Sequence, residues 1–164
     1  MANLCLAAVT HLRGLFLAGD GLAYESGLIA ARDGVELSGF TGDSVLVQNV
    51  ASDLADESVP VQYPVVYLYT DRMDNRLVEK FRKFSGSIAV IAELRVSGER
   101  FTDLEGKLAR YIEAVGVVLG RNQGSWTEHL AFSGAYEVRF ERIRLGGKNF
   151  IQSARVEIEL QAHE

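Results

Sequence analysis

A single cysteine, Cys5, leaves no partner for an internal disulfide, so a reducing compartment such as a bacterial cytoplasm fits the composition. Cys5 lies in an apolar run and is expected to act as a small buried hydrophobe. Long hydrophobic runs are missing too: none approaches the ~18 to 20 residues that cross a bilayer. Asn3 to Ala18 is interrupted by Thr10, His11 and Arg13 and has no basic lead, which predicts a helix and not a signal peptide. Catalytic spacings are absent. His11, His129 and His163 are scattered, with no HxH, HxxE or CxxC pattern to hold a metal. There is no GxSxG, no Walker-type loop and no dinucleotide-binding glycine pattern. Gly146-Gly147-Lys148 lies between two strand-like runs and lacks the helix N-terminus that a phosphate loop needs. Glu128-His129 has no nucleophile or oxyanion site to serve. The expectation is a chain that is not an enzyme and takes neither cofactor nor metal. A basic stripe for nucleic acid is also missing.

What is present is enough apolar material for one core: 164 residues, 48% hydrophobic and 24% charged. A second independent domain is not expected at this length. The charge is uneven. Residues 1–60 carry eight acids against Arg13 and Arg32, a net of −6, while the remainder carries 14 acids and 15 bases. This polarity fits either head-to-tail contact between copies or a solvated acidic surface.

Helical spacing of Leu4, Ala7, Ala8, His11, Leu12, Leu15 and Phe16 predicts an amphipathic helix from Asn3 to Ala18, closed by Gly19-Asp20-Gly21. Residues 22–62 are poorly patterned. Ala23 to Ala31 reads as a strand or a short helix, Asp33-Gly34 and Thr41-Gly42-Asp43 as turns, and Ala51 to Pro60 as an acidic loop. Ser44 to Val50 alternates weakly, with Val45 and Val47 on one side. Such a stretch in a compact domain is often functional or ordered by a partner. Tyr63 to Thr70 is a strand by its β-branched and aromatic content, with Pro64 at its first position or on an edge. Met73, Leu77, Phe81 and Phe84, separated by basic residues, fit a short helix or an irregular arm. Ile88, Val90, Ala92, Leu94 and Val96 alternate as a second strand. Thr102 and Glu105 have capping-box spacing, opening a helix with a buried stripe of Leu104, Leu108, Tyr111, Ile112, Val115 and Leu119 and with Gly120 as its C′ residue. Asn122 to Gly134 is a loop whose Trp126 reads as a cover over the core's edge or as an interface anchor.

The stretch Ala135–Leu160 carries the clearest pattern. Tyr136, Val138 and Phe140 alternate with Glu137, Arg139 and Glu141, and Ala154, Val156, Ile158 and Leu160 with Arg155, Glu157 and Glu159. Gly146-Gly147 between the runs predicts a two-residue hairpin turn, pairing Leu145 with Lys148 and Ile143 with Phe150. Carried straight on, that register sets Val138 and Phe140 on the wrong face. One extra residue, a bulge at Glu141-Arg142, restores it and pairs Phe140 with Gln152, Val138 with Ala154 and Tyr136 with Val156. A longer odd-length loop also matches the faces but leaves Ile143 among the charges. The arginines at 139, 142, 144 and 155 are placed to pair across the hairpin with Glu137, Glu141, Glu157 or Glu159. The fold class expected is α+β: a mostly antiparallel sheet, a long helix packed on one face, and an N-terminal helix.

From Tyr63 onward, YPVVYLYT, KFSGSIAVIAELRVSG, FTDLEGKLARYIEAVGVVL, GSW and AYEVRFERIRLGGKNFIQSARVEIEL resemble, in order and in local phrases, the tail terminator (tail-completion) proteins of long-tailed bacteriophages. Residues 19–62 match less recognisably, and no family contact is carried over to them. The resemblance implies a structural virion protein of the phage neck, assembled in the host bacterial cytoplasm. It implies a hexameric ring on the last ring of tail tube protein, ending tube polymerisation and offering a surface to the head-tail connector or stopper. DNA passes through such a ring without specific binding, and no membrane is involved. Trp126, Arg144, Gly146, Gly147 and Lys148 are then the expected contacts to neighbouring subunits or the tube. Another ring component of the same machinery, such as a stopper, adaptor or tube protein, and a small cytoplasmic enzyme with a dispersed site are the alternatives.

Overall fold

A computed structural model describes residues 2–50 and 61–164; the acidic stretch 51–60, read above as a loop, lies outside the described residues. Helices α1 (Ala2–Leu17) and α2 (Leu22–Asp33) open the chain. The ambiguous segment after Gly21 is therefore helical, and Gly34, at φ 65°, ends it as a left-handed cap. A single 3-10 turn (Gly42–Ser44) leads into β1 (Val45–Val47). Then come β2 (Val65–Asn75), β3 (Ser85–Gly98), α3 (Leu104–Arg121), β4 (Gly124–Ser125), β5 (Leu130–Phe140), β6 (Arg144–Gly146) and β7 (Asn149–His163). The strands form one sheet in the order β1-β2-β3-β7-β5-β4, with β6 beside the far end of β7. Every pairing is antiparallel except β1 with β2. The α+β expectation holds, with the long and N-terminal helices where the periodicity put them.

The three described helices lie on one face. Leu4, Leu12 and Phe16 of α1, Leu22 and Ile29 of α2, and Leu104, Leu108, Tyr111, Val115 and Leu119 of α3 share a core with the alternate residues of β3 and β7. That set in β7 is Ala154, Val156, Ile158, Leu160 and Ala162, the predicted apolar face. The opposite face carries a smaller cluster, Val65 and Tyr67 with Leu46, Val50, Val61, Tyr63 and Tyr69 packed on them. Leu46, Val50, Val61 and Tyr63 thus lie over the back of the sheet, and β3 is buried on both sides. Two salt-bridge sets tie the helices together: Arg121 to the buried Glu25 at 2.8 Å, and Asp33 between Arg32 (2.7 Å) and Arg110 (2.9 Å).

Several local expectations need correction. The helix α3 is entered through a 3-10 turn, Phe101–Asp103, with Asp103 at the cap and no side-chain cap bond, so Thr102 and Glu105 do not form a capping box. Gly120 lies inside the helix, which ends at Asn122. The hairpin register differs by two residues. Gly146 pairs with Asn149, so Gly147 and Lys148 form the turn, and Leu145 faces Phe150, not Lys148. Phe140 then faces Ala154, Val138 faces Val156 and Tyr136 faces Ile158. An extra residue is present near the predicted place: Glu141, Arg142 and Ile143 stand against only Gln152 and Ser153. The turn moved because Gly147, at φ 78°, takes the left-handed position while Gly146 stays in the strand, where a Cβ would meet the Ile151 side chain. A consequence is that Glu137 faces Glu157 and Arg139 faces Arg155, like against like. Arg139 turns to Glu137 on its own strand (2.6 Å), and of the cross-hairpin pairs Arg155 reaches Glu141 (3.3 Å). Unforeseen breaks also occur at Asp71 in β2 and between Phe132 and Tyr136 in β5.

Two glycines make opposite predictions. A Cβ on Gly86, which closes the β2–β3 ladder opposite Asn75, would sit 1.8 Å from the Asp74 carbonyl oxygen. Gly14 is exposed in the last turn of α1, with nothing within 4 Å of its would-be Cβ. Thermal unfolding should show Gly86→Ala destabilising by ~2 to 3 kcal/mol and Gly14→Ala stabilising by ~0.5 to 1 kcal/mol. Arg32, then Arg110, hold the Asp33 carboxyl down from 3.8 to about 2. A depressed carboxyl stabilises the fold above its ordinary value and loses that contribution as pH falls through the folded value. The melting temperature of Asp33→Asn should therefore lie below wild type at neutral pH, with the gap closing between pH 3.8 and about 2. A gap independent of pH would refute the assignment.

Candidate interaction surface

The sheet has two projecting ends. β3 and β7 pair without a break from Ser85 with His163 to Gly98 with Phe150. At the His163 end, residues 76–84 form an irregular arm joining β2 to β3, so of the two readings of Met73–Phe84 the arm is the one observed. At the Phe150 end stands the β6–β7 turn. The end-to-end length of β7 separates them, roughly 40 Å at ~3.3 Å per residue.

The arm is built from its polar residues inward. Asn75 Oδ1 accepts from the amides of Leu77 (3.3 Å) and Ser85 (3.1 Å), and Asn75 Nδ2 donates to the Lys83 carbonyl (3.3 Å). The Glu79 amide donates to the buried Ser85 hydroxyl at 3.0 Å. Held at its base, the arm turns its apolar residues outward: Leu77 is 60% exposed, Val78 74% and Phe81 fully exposed. Leu77 and Phe81 adopt left-handed backbone, φ 47° and 68°, which residues bearing a Cβ pay for locally. Arg76, Lys80, Arg82 and Lys83 surround them, with Glu79 paired to Arg82 at 3.0 Å.

The five residues singled out from sequence are not brought together. Trp126 lies at the arm end, buried, stacked on His11 with ring centres 5.0 Å apart and tilted against Phe132 at 5.5 Å. Its Nε1–H donates to the Asn122 carbonyl at 2.8 Å. Burial lowers the His11 pKa below its ordinary value. In the single chain Trp126 covers the core's edge. Arg144, half-buried, and Gly146 pair with Ile151 and Asn149 at the opposite end, and Gly147 and Lys148 are exposed at the turn. Beside them an apolar strip stays open on the helix side of the sheet: Tyr136, Phe140, Leu145 and Phe101, the last packed edge-on against Phe150 at 5.7 Å. The register explains the strip. Tyr136 and Phe140 share the face of Ile158 and Ala154, but α3 lies chiefly over β3 and β7, with Gly116 against the Tyr136 hydroxyl.

Among the described residues no three His, Cys, Asp or Glu side chains are placed to hold a metal, and no described helix is long and apolar enough to cross a membrane. His129 and His163, far apart in sequence, do meet edge-on at 5.8 Å. Sequence reasoning missed a charged cluster on the back of the sheet. Arg95 and Glu93, 1% and 5% exposed, pair at 2.8 Å. The Arg95 guanidinium lies 4.5 Å over the Tyr67 ring and donates to the Val50 carbonyl at 3.3 Å. Arg155, the ladder partner of Glu93, bonds its other oxygen at 3.2 Å. The signal available was Glu93 and Arg95 two apart on a strand, with Tyr67 opposite Glu93 and Val65 opposite Arg95. The pair anchors Val50 to the sheet.

Removing one partner of a buried pair strands the other. Arg95→Met should destabilise by ~3 kcal/mol, and Glu93→Gln with Arg95→Met should cost ~1 to 3 kcal/mol less than the two singles added. Strictly additive values from denaturant unfolding would show that the pair is not coupled. No protein-family model matches the chain, and no curated protein matches it.

Proposed function

We propose that the chain is a tail terminator of a long-tailed bacteriophage: a structural subunit that forms a ring on the head-proximal end of the tail tube, ends tube growth and offers a surface to the head connector. The observation that carries this reading is the order of elements from Tyr63 to Leu160. Strand, strand, long helix, connection and hairpin follow one another in the folded chain as in the resemblance. The two apolar projections support it, because a ring subunit must present surface to neighbours on two flanks and to the tube. A net charge of −5 is also compatible with a ring that lets DNA pass without gripping phosphate.

Within this reading Arg144, Gly146, Gly147 and Lys148 contact the tube or a neighbour. Trp126, at the opposite end, covers the core's edge in the single chain. Loss of the chain during phage assembly should give tails that overrun their set length and stay unjoined to heads. Replacing the Gly147-Lys148 turn by Ala-Glu should give fewer joined particles at normal chain abundance. Normal-length, DNA-filled tails without the chain would refute the function; the same result with the turn variant alone would refute only the role of the turn. Open-ended tubes formed by the purified chain would favour a tube protein.

A further inference from the structure

We propose that the arm carrying Phe81 inserts into a cleft beside α1 on a second copy of this chain. The cleft, about 310 Å³, lies at the arm end of the molecule, lined by Leu4, Ala7, Thr127, Glu128, His129 and Glu164. Its floor is apolar and its polar wall holds two carboxylates and no lysine or arginine. Arm residues 76–83 carry four bases against Glu79, and put a fully exposed phenylalanine at their centre. Size, polarity and charge match: the cleft has room for one phenyl ring over Leu4 and Ala7, with Lys80 and its basic neighbours against the exposed Glu128. In that wall His129 Nε2 and Glu128 Oε1 lie 3.1 Å apart.

The arm is adjacent to the cleft of its own chain, because the amides of Lys83 and Phe84 donate to the Glu164 carbonyl. Those bonds, with the Asn75 and Ser85 contacts, hold Phe81 pointing into solvent and not back into that cleft. A partner of the same sequence brings both halves of the contact at equal concentration, each copy giving an arm and receiving one. The contact deepens the ring reading above and rests on it only for the number of copies.

The test is the association state of the full purified chain, by sedimentation velocity and native mass spectrometry. Wild type is expected to self-associate. Phe81→Asp, which alters only an exposed side chain, should weaken association ~30-fold or more, and Ala7→Trp, which fills the cleft, should do the same. Lys80→Glu and Glu128→Lys should each weaken it, and the double variant should recover most of the loss, a rescue that a folding defect does not produce. A monomeric wild type, or Phe81→Asp associating like wild type, overturns the proposal. So does a monomer that uses Phe81 only to bind tail tubes, which would assign the arm to the tube. If Phe81→Asp associates normally and still ends tube growth, the contact fails and the terminator reading stands. If wild type associates through Phe81 but tubes grow on unchecked, the reading fails and the contact stands.

Discussion

The uninterrupted pairing of β3 with β7 is the constraint on which the rest depends. Fourteen consecutive partners, from Ser85 with His163 to Gly98 with Phe150, fix both strands over nearly their full length. Because side chains alternate strictly, that register decides at once which residues meet the helices and which form the back of the sheet. Ile88, Val90, Ala92, Leu94 and Val96 are then locked beside Leu160, Ile158, Val156, Ala154 and Gln152, and the helices have one place to bury their stripes. The two ends of this ladder also set where the chain projects. The arm leaves from one end and the Gly147-Lys148 turn from the other.

The back of the sheet shows what the same register costs. Glu93 falls opposite Arg155 and beside Arg95, so three charges are collected on one patch. Burying Arg95 and Glu93 demands that each be paired, since an unpaired buried charge is far more costly than an apolar residue. The chain meets that demand through Tyr67, Val50 and Arg155. Such a pair adds little net stability compared with hydrophobic residues of the same volume. Its effect is to hold Val50 in one position, because displacing Val50 would leave the guanidinium short of a partner.

Much of the fold was legible in the sequence for a simple reason. Helices α1 and α3 and strands β3 and β7 each carry a periodic apolar set, and period is a local property. Termini and registers depend on tertiary contacts, and there the reading slipped. Thr102 and Glu105 have capping-box spacing, yet the chain enters α3 through a 3-10 turn at Phe101, whose ring packs on Phe150. Gly146 and Gly147 look equivalent in sequence. Only the Ile151 side chain above Gly146 selects which of them turns. The segment Leu22–Asp33 was ambiguous because four of its residues, Leu22, Glu25, Ser26 and Ile29, are buried and two of those are polar, which blurs the apolar stripe. Of the candidate contacts, the exposed turn was legible from its glycines, and Trp126 packs on His11 and Phe132 within the chain. Phe81 was hidden by its spacing: at i, i+4 and i+7 from Leu77 and Phe84 it imitates a helix face, although Leu77 and Phe81 both have positive φ.

That imitation bears on why the arm exists in this form. An apolar residue left in water gains nothing from folding, and two left-handed residues with side chains add local strain. A loop free of other demands would be expected to place glycine or asparagine at such φ values and polar residues at its tip. Here the tip holds Leu77, Val78 and Phe81 while its base is fastened by Asn75 and Ser85. Fastening the base lowers the entropy that the arm would lose on docking, so more of the apolar burial by Phe81 becomes binding free energy. The exposed apolar residues, the left-handed backbone and the anchored base are each unfavourable or neutral for the isolated subunit. Together they fit an element shaped for a contact that the isolated chain does not make.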